Sequence, residues 1–213
     1  MILDDVLKLF EEKIFSASLK DGSLFNQYND KNLEIDLPDA DKIRQDNLRN
    51  YLRSFTERPS VIVIGEAPGW RGCRFSGVPF TSEFQLCDND LPFTGNQSSR
   101  NESPYKESTA TIFWNFMSDY HTQFFAWNCI PFHPYKSDNP LSNRTPTTRE
   151  ISTYLALLSE IVSFMQPSQI VAVGKSAERS LKNLGIPFSY VRHPSHGGAY
   201  EFRIGMERVF REK

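Results

Sequence analysis

The sequence predicts an α/β fold: a three-layer α/β/α sandwich around a mainly four-stranded parallel sheet, with extra helices at the N-terminus. Three observations carry this expectation. Helical and strand patterns alternate along the chain, as they do when helices cover a parallel sheet. The run SVIVIG is short, continuous, β-branched and closed by glycine, the pattern of a strand buried on both faces. The 213 residues exceed the about 150 of a typical domain by enough for one domain with an added lobe. Residues 1–213 are therefore expected to form a single domain, with 1–58 as a helical lobe packed on its core.

The elements follow in order. Residues 2–15 and 40–55 place apolar side chains at helical spacing (Leu3, Val6, Leu7 and Phe10; Ile43, Leu48, Tyr51, Leu52 and Phe55), separated by a turn region rich in Asn, Asp and Gly. SVIVIG is the first sheet strand. Residues 65–107 are rich in Gly, Pro, Ser and Asn, too irregular for regular elements and too long for a mere connection, which marks functional loops. A helix resumes at Ser108, with Ile112, Phe113, Phe116 and Met117 on one face, and FFAWNC (Phe124 to Cys129) is the second strand. Thr147 and Glu150 spell a capping box ahead of a helix over Ile151 to Met165, which Pro167 ends. QIVAVG is the third strand, Lys175 to Leu184 a helix, PFSYVRHP the fourth strand and Ala199 to Arg211 the last helix.

Composition excludes several classes. At 39% hydrophobic and 23% charged the chain is neither disordered nor fibrous. No stretch approaches the roughly 18 apolar residues of a membrane span, so no membrane partner is expected. MILDDVLKLFEEK has acids where a secretory signal carries positive charge, so a cytoplasmic protein is expected, nucleoid-associated if bacterial. Cys73, Cys87 and Cys129 form no C-x-x-C pair, so they read as free thiols, and neither a metal nor a cofactor is expected. The net charge of −2 is uneven: residues 1–60 carry 12 acids against 9 bases, and residues 168–213 carry 8 bases against 4 acids.

In an open parallel sheet, ligands bind beyond the carboxyl ends of the strands. The residues there form a set: G-E-A-P-G (Gly65 to Gly69) after the first strand, Asn128 ending the second, Gly174 and Lys175 after the third, and His193, Pro194 and Ser195 after the fourth. With the G-V-P-F segment that ends at Phe80, this order resembles the uracil-DNA glycosylase superfamily over roughly residues 60–200, in particular the branch whose first motif reads G-E-A-P-G. That branch carries iron–sulfur cysteines, which this chain lacks. The resemblance implies a DNA glycosylase of base-excision repair that acts on uracil or a related deaminated or damaged base, independently of metal. It also implies DNA as the partner; because the HPSHGGAY loop lacks the leucine wedge that the family commonly carries there, a preference for single-stranded or already weakened pairs is expected. The alternative, from another class, is a catalytically silent nucleic-acid or nucleotide-binding protein of the same fold.

Each piece also has a physical reading. A base to be removed must leave the stack, enter a pocket, be stacked and have its edge read. Phe80 either supplies the stacking face, the role the resemblance assigns to it, or plugs a loop. Asn128 either meets N3–H and O4 of uracil with its carboxamide or is a turn residue. Ala67, Pro68 and Gly69 complete the base-binding wall; Gly69 stands where the resemblance implies a tyrosine that screens out a 5-methyl group. His193, as neutral imidazole, can donate to the O2 that gathers charge as the glycosidic bond breaks. Ala67 also takes the place of the water-directing aspartate of the best-known branch. Glu66 is the nearest carboxylate, and either orients water or makes a structural hydrogen bond. Gly65, Lys175, Ser195, His196 and Gly197 are candidate phosphate contacts, unless HPSHGG is only a strand-to-helix turn.

Overall fold

Four strands pair in parallel in a computed structural model that describes residues 2–19, 22–88 and 91–211. In chain order the elements are α1 (Asp4–Phe10), β1 (Leu24–Phe25), α2 (Ala40–Arg53), β2 (Val61–Gly65), α3 (Cys73–Ser76), α4 (Glu83–Cys87), α5 (Ser108–Met117), β3 (Phe124–Asn128), β4 (His133–Pro134), α6 (Thr148–Met165), β5 (Gln169–Val173), α7 (Lys175–Asn183), β6 (Ser189–Val191) and α8 (Ala199–Arg211). The main sheet runs β3-β2-β5-β6. Val61 of β2 faces Phe124 on one side and Gln169 on the other, and Gly65 faces Asn128. Every residue of β2 and β3 is buried, which is why both read as continuous apolar runs. From β2 the chain moves to β3 on one side, then crosses back to β5 on the other. The carboxyl ends of β2 and β5 therefore flank the switch point where an open sheet leaves a crevice.

The first helix starts as α1 and widens into a π-helical turn over Glu11–Phe15, within the single helix the apolar spacing predicts. Its Phe10 ring stacks on Trp127 of β3 with centroids 4.4 Å apart. Tyr51 of α2 stacks on Phe125, and its hydroxyl accepts the Ala126 N–H at 2.8 Å. The short antiparallel pairing of β1 with β4 has no counterpart in the sequence reading, because two residues a side show no alternation. α6 begins with the predicted box: Glu150 N–H donates to Thr147 Oγ1 at 3.2 Å and Thr147 N–H to Glu150 Oε2 at 2.7 Å. Among the described residues no helix is long and apolar enough to cross a membrane.

The stretch 65–107 contains more regular structure than its composition predicts. α3 is closed by Gly77 at φ +75°, and α4 opens on a capping box between Ser82 and Gln85. Two buried carboxylates hold the rest. Asp36 pairs with Arg74 of α3 and with Arg44 of α2, which ties the pocket loop to the N-terminal helices. Glu83 accepts the Ser98 and Ser99 N–H groups at 2.7 and 2.8 Å, the Ser99 hydroxyl at 2.7 Å and the Tyr105 N–H at 3.1 Å. Four donors on one carboxylate fix the path of the chain into α5, and so the position of Glu107 at its start.

Candidate active site

Gly65 ends β2 where two side chains need its space. A Cβ there would lie 2.6 Å from Phe80 Cζ and 2.7 Å from Asn128 Oδ1, so only glycine lets both close on the strand end. Phe80 has φ +55°, a left-handed conformation that costs a non-glycine residue about 1–3 kcal/mol. Its surroundings hold it there. Ser76 Oγ donates to the Thr81 carbonyl at 2.7 Å, and Trp114 Nε1–H donates to Thr81 Oγ1 at 2.9 Å. Phe113 stacks on the Phe80 ring at 4.6 Å, so the side it leaves uncovered is what the ring offers a ligand.

Asn128 stands opposite Gly65 and is 5% exposed. Its backbone neighbours are committed, Cys129 N–H to the Gly65 carbonyl at 2.9 Å and Ile130 N–H to the Glu66 carbonyl at 3.1 Å. Among the described residues its carboxamide has no hydrogen-bond partner, and it lies on a cavity wall. A buried donor–acceptor pair with nothing to bind is costly unless a ligand or water completes it.

The cavity measures about 290 Å³, near the lower end of the roughly 300–1,000 Å³ usual for small-ligand sites. The loop after β2 contributes Glu66, Ala67, Pro68 and Gly69, β3 contributes Asn128, and the loop after β6 contributes His193, Ser195 and His196, with Phe80 between them. Gly65 lies beneath this wall. Lys175 is not on it: its ammonium pairs with Glu178 at 3.0 Å and sits 4.5 Å from the Tyr190 ring centroid. Gly197 has φ +77° and open space where a Cβ would be. Glu107 of the cavity wall is absent from the sequence reading, as are Asn143 and Arg144. Asn143 Oδ1 accepts the Trp70 N–H at 2.9 Å, and Arg144 holds Glu150, so these two brace the wall.

The tautomer of His193 follows from its neighbour. Ser195 N–H, which can only donate, points at His193 Nδ1 at 3.2 Å, and the Ser195 hydroxyl lies 2.8 Å from the same nitrogen. Nδ1 is therefore the acceptor, and the ring proton sits on Nε2. Burial, with Arg192 and His196 nearby, pushes the His193 pKa down to about 4, so the ring is neutral at pH 7. The Ser195 hydroxyl, a candidate phosphate contact by sequence, is thus already engaged with His193. Behind the wall, the Pro68 carbonyl accepts the Nδ1–H of buried His133 at 2.7 Å, which fixes the loop after β2.

Desolvation also pushes His121 and His133 down to about 4. Each of the three imidazoles binds its proton more readily in the unfolded chain, so between about pH 6.5 and 4 the unfolded state takes up more protons and stability falls with falling pH. Glu107, pushed up to about 7, acts with the opposite sign between about 4.5 and 7, but one group is set against three. The melting temperature should drop steadily from pH 6.5 to 4.5. A level melting curve over that window would show that the imidazoles are not held neutral by burial.

The family model described as the Uracil DNA glycosylase superfamily matches residues 53–210. Among solved structures, that of wild-type SMUG2 from Pedobacter heparinus superposes with a TM-score of 0.66 at 11% identity, covering 99% of this chain and 97% of that one. At that identity the likeness is one of fold. No curated protein matches the chain.

Proposed function

The chain belongs to the uracil DNA glycosylase superfamily, and on that footing we propose that it is a DNA glycosylase that hydrolyses the N-glycosidic bond of uracil or a closely related deaminated or damaged base. One observation carries the reading: an unengaged Asn128 carboxamide and a neutral His193 with its proton on Nε2 share one small cavity with Phe80. A flipped base lies along Phe80 and has its N3–H and O4 met by the carboxamide of Asn128. As the bond from the sugar to N1 breaks, its electron pair spreads onto O2, where His193 Nε2–H donates. A neutral donor fixed before the reaction stabilises that charge without reorganising.

DNA is the partner this reading requires. Beside the pocket the Arg71 guanidinium lies 4.7 Å from the Trp70 ring centroid, and Trp70 packs edge-on against Tyr105, a surface suited to neighbouring bases and phosphates. Two assays test the proposal. A labelled oligonucleotide with one uracil, incubated with the protein and treated with alkali, should be cut at the resulting abasic site. Affinity for the same DNA should weaken steeply between about 50 and 200 mM salt. Binding with no base release on uracil or a panel of lesions would leave the silent binding protein as the better reading, and affinity indifferent to salt would remove DNA as the partner.

A further inference from the structure

Among the described residues, Glu66 and Glu107 bring carboxyl groups to the cavity, and the protein engages them differently. Glu66 Oε1 accepts the Ser176 hydroxyl at 2.7 Å, across the crevice between the ends of β2 and β5. That bond ties the loop after β2 to the first turn of α7. Among the described residues Glu107 is held only by its backbone, whose carbonyl accepts from Thr111 N–H and from the Thr111 hydroxyl, each at 3.0 Å. Its side chain lies over Gly69 and Gly72. A Cβ on Gly69 would be 2.8 Å from Glu107 Oε1, and one on Gly72 would meet the other oxygen closer still, so the two glycines make room for this carboxylate. Among the described residues no donor reaches either oxygen. Glu83, by contrast, carries four.

We propose that Glu107, not Glu66, is the general base for the water that attacks the sugar, an inference that rests on the glycosylase reading above. The step balances as a hydrolysis. The water oxygen bonds to the anomeric carbon while Glu107 takes one of its protons. The bond to N1 breaks, and its electron pair leaves with the base, whose O2 is held by His193 Nε2–H. Glu107 then releases the proton to solvent. A base needs a free lone pair within reach of water and a pKa near the working pH. Glu107 has both: its oxygens are unengaged, and desolvation pushes its pKa up to about 7.

The other titratable or charged groups on the cavity wall are Glu66 from the loop after β2, Cys73 of α3, His193 and His196 from the loop after β6, and Arg144 before α6. Burial raises the Cys73 thiol and so keeps it protonated, His193 is neutral above about 4, and Arg144 is paired with Glu150. On Glu107's own segment, Lys106 lies over the Phe84 ring.

Single-turnover release of uracil by the full chain, measured from pH 5.5 to 8.5, tests the assignment. The wild type should show a rate that rises with unit slope and levels off near pH 7. Glu107→Gln should lose ~100-fold on the plateau and flatten the profile. Glu66→Gln, which can still accept from Ser176, should keep the rising limb and lose no more than ~10-fold. His196→Asn should keep that limb too. The inference falls if Glu107→Gln retains the rate or the limb, if Glu66→Gln or His196→Asn flattens the profile, or if Glu107→Gln alters only the preference among bases. Should Glu107→Gln not fold, a flat wild-type profile is enough to overturn it. A wild type that releases no uracil at any pH fails the glycosylase reading itself, whereas an active wild type with an unaffected Glu107→Gln fails this inference alone.

Discussion

His193→Ala should slow single-turnover release of uracil by ~100- to 1000-fold while leaving affinity for product-like abasic DNA near that of the wild type. The expected size comes from the kind of interaction removed. A hydrogen bond aimed at charge that develops only in the transition state is worth about 2.7–4 kcal/mol, and it contributes little to ground-state binding. The structure makes this donor neutral and directional. Ser195 N–H occupies Nδ1, the proton stands on Nε2, and burial keeps the ring from ionising above about pH 4. Ser195→Ala removes the hydroxyl at Nδ1 but keeps the N–H, so the tautomer survives and the loss should be much smaller. If His193→Ala instead weakened abasic-site binding as much as it slowed release, the imidazole would be a DNA-gripping group and the leaving base would be stabilised elsewhere.

Much of this arrangement is legible in the sequence because it is written in local patterns. β2 and β3 are continuous apolar runs that end in Gly65 and Asn128, β5 is one followed by Gly174, and the rule that ligands sit beyond such ends groups Glu66 and Asn128 with His193, which follows β6, from the sequence alone. The T-x-x-E box at Thr147 is equally local. What escapes is what depends on contacts between distant segments. Glu107 looks like one more loop acid; its place in the cavity arises because Glu83 organises the chain from Ser98 to Tyr105, and because Gly69 and Gly72 leave a gap for it. Two signals point to it in retrospect: glycines three residues apart, and a glutamate where a helix start ordinarily has Ser, Thr, Asp or Asn. The direction of Lys175 is illegible for the same reason, since Tyr190 and Glu178 turn it from the cavity.

Asn128→Asp should cost ~2–4 kcal/mol of transition-state binding, or roughly 30- to 1000-fold in the rate of uracil release, while the folded state is retained with a lowered melting temperature. Once a pyrimidine is stacked on Phe80, only a group that reads its edge distinguishes uracil from cytosine. Uracil offers a donor at N3 and an acceptor at O4, and a carboxamide offers the complementary pair. Aspartate keeps the size but places an acceptor oxygen against O4, exchanging a hydrogen bond for a repulsion in a cavity with little water to screen it. The fold loses no hydrogen bond, because the carboxamide makes none among the described residues and Gly65 still leaves it room, so the desolvation of the new carboxylate is the one cost the melting temperature reads. The same change supplies the acceptor that the amino group of cytosine requires, so the ratio of uracil to cytosine release should fall along with the rate. A variant that is folded at the assay temperature and releases uracil undiminished would mean that Asn128 only ends its strand, and that the base is read by another part of the wall.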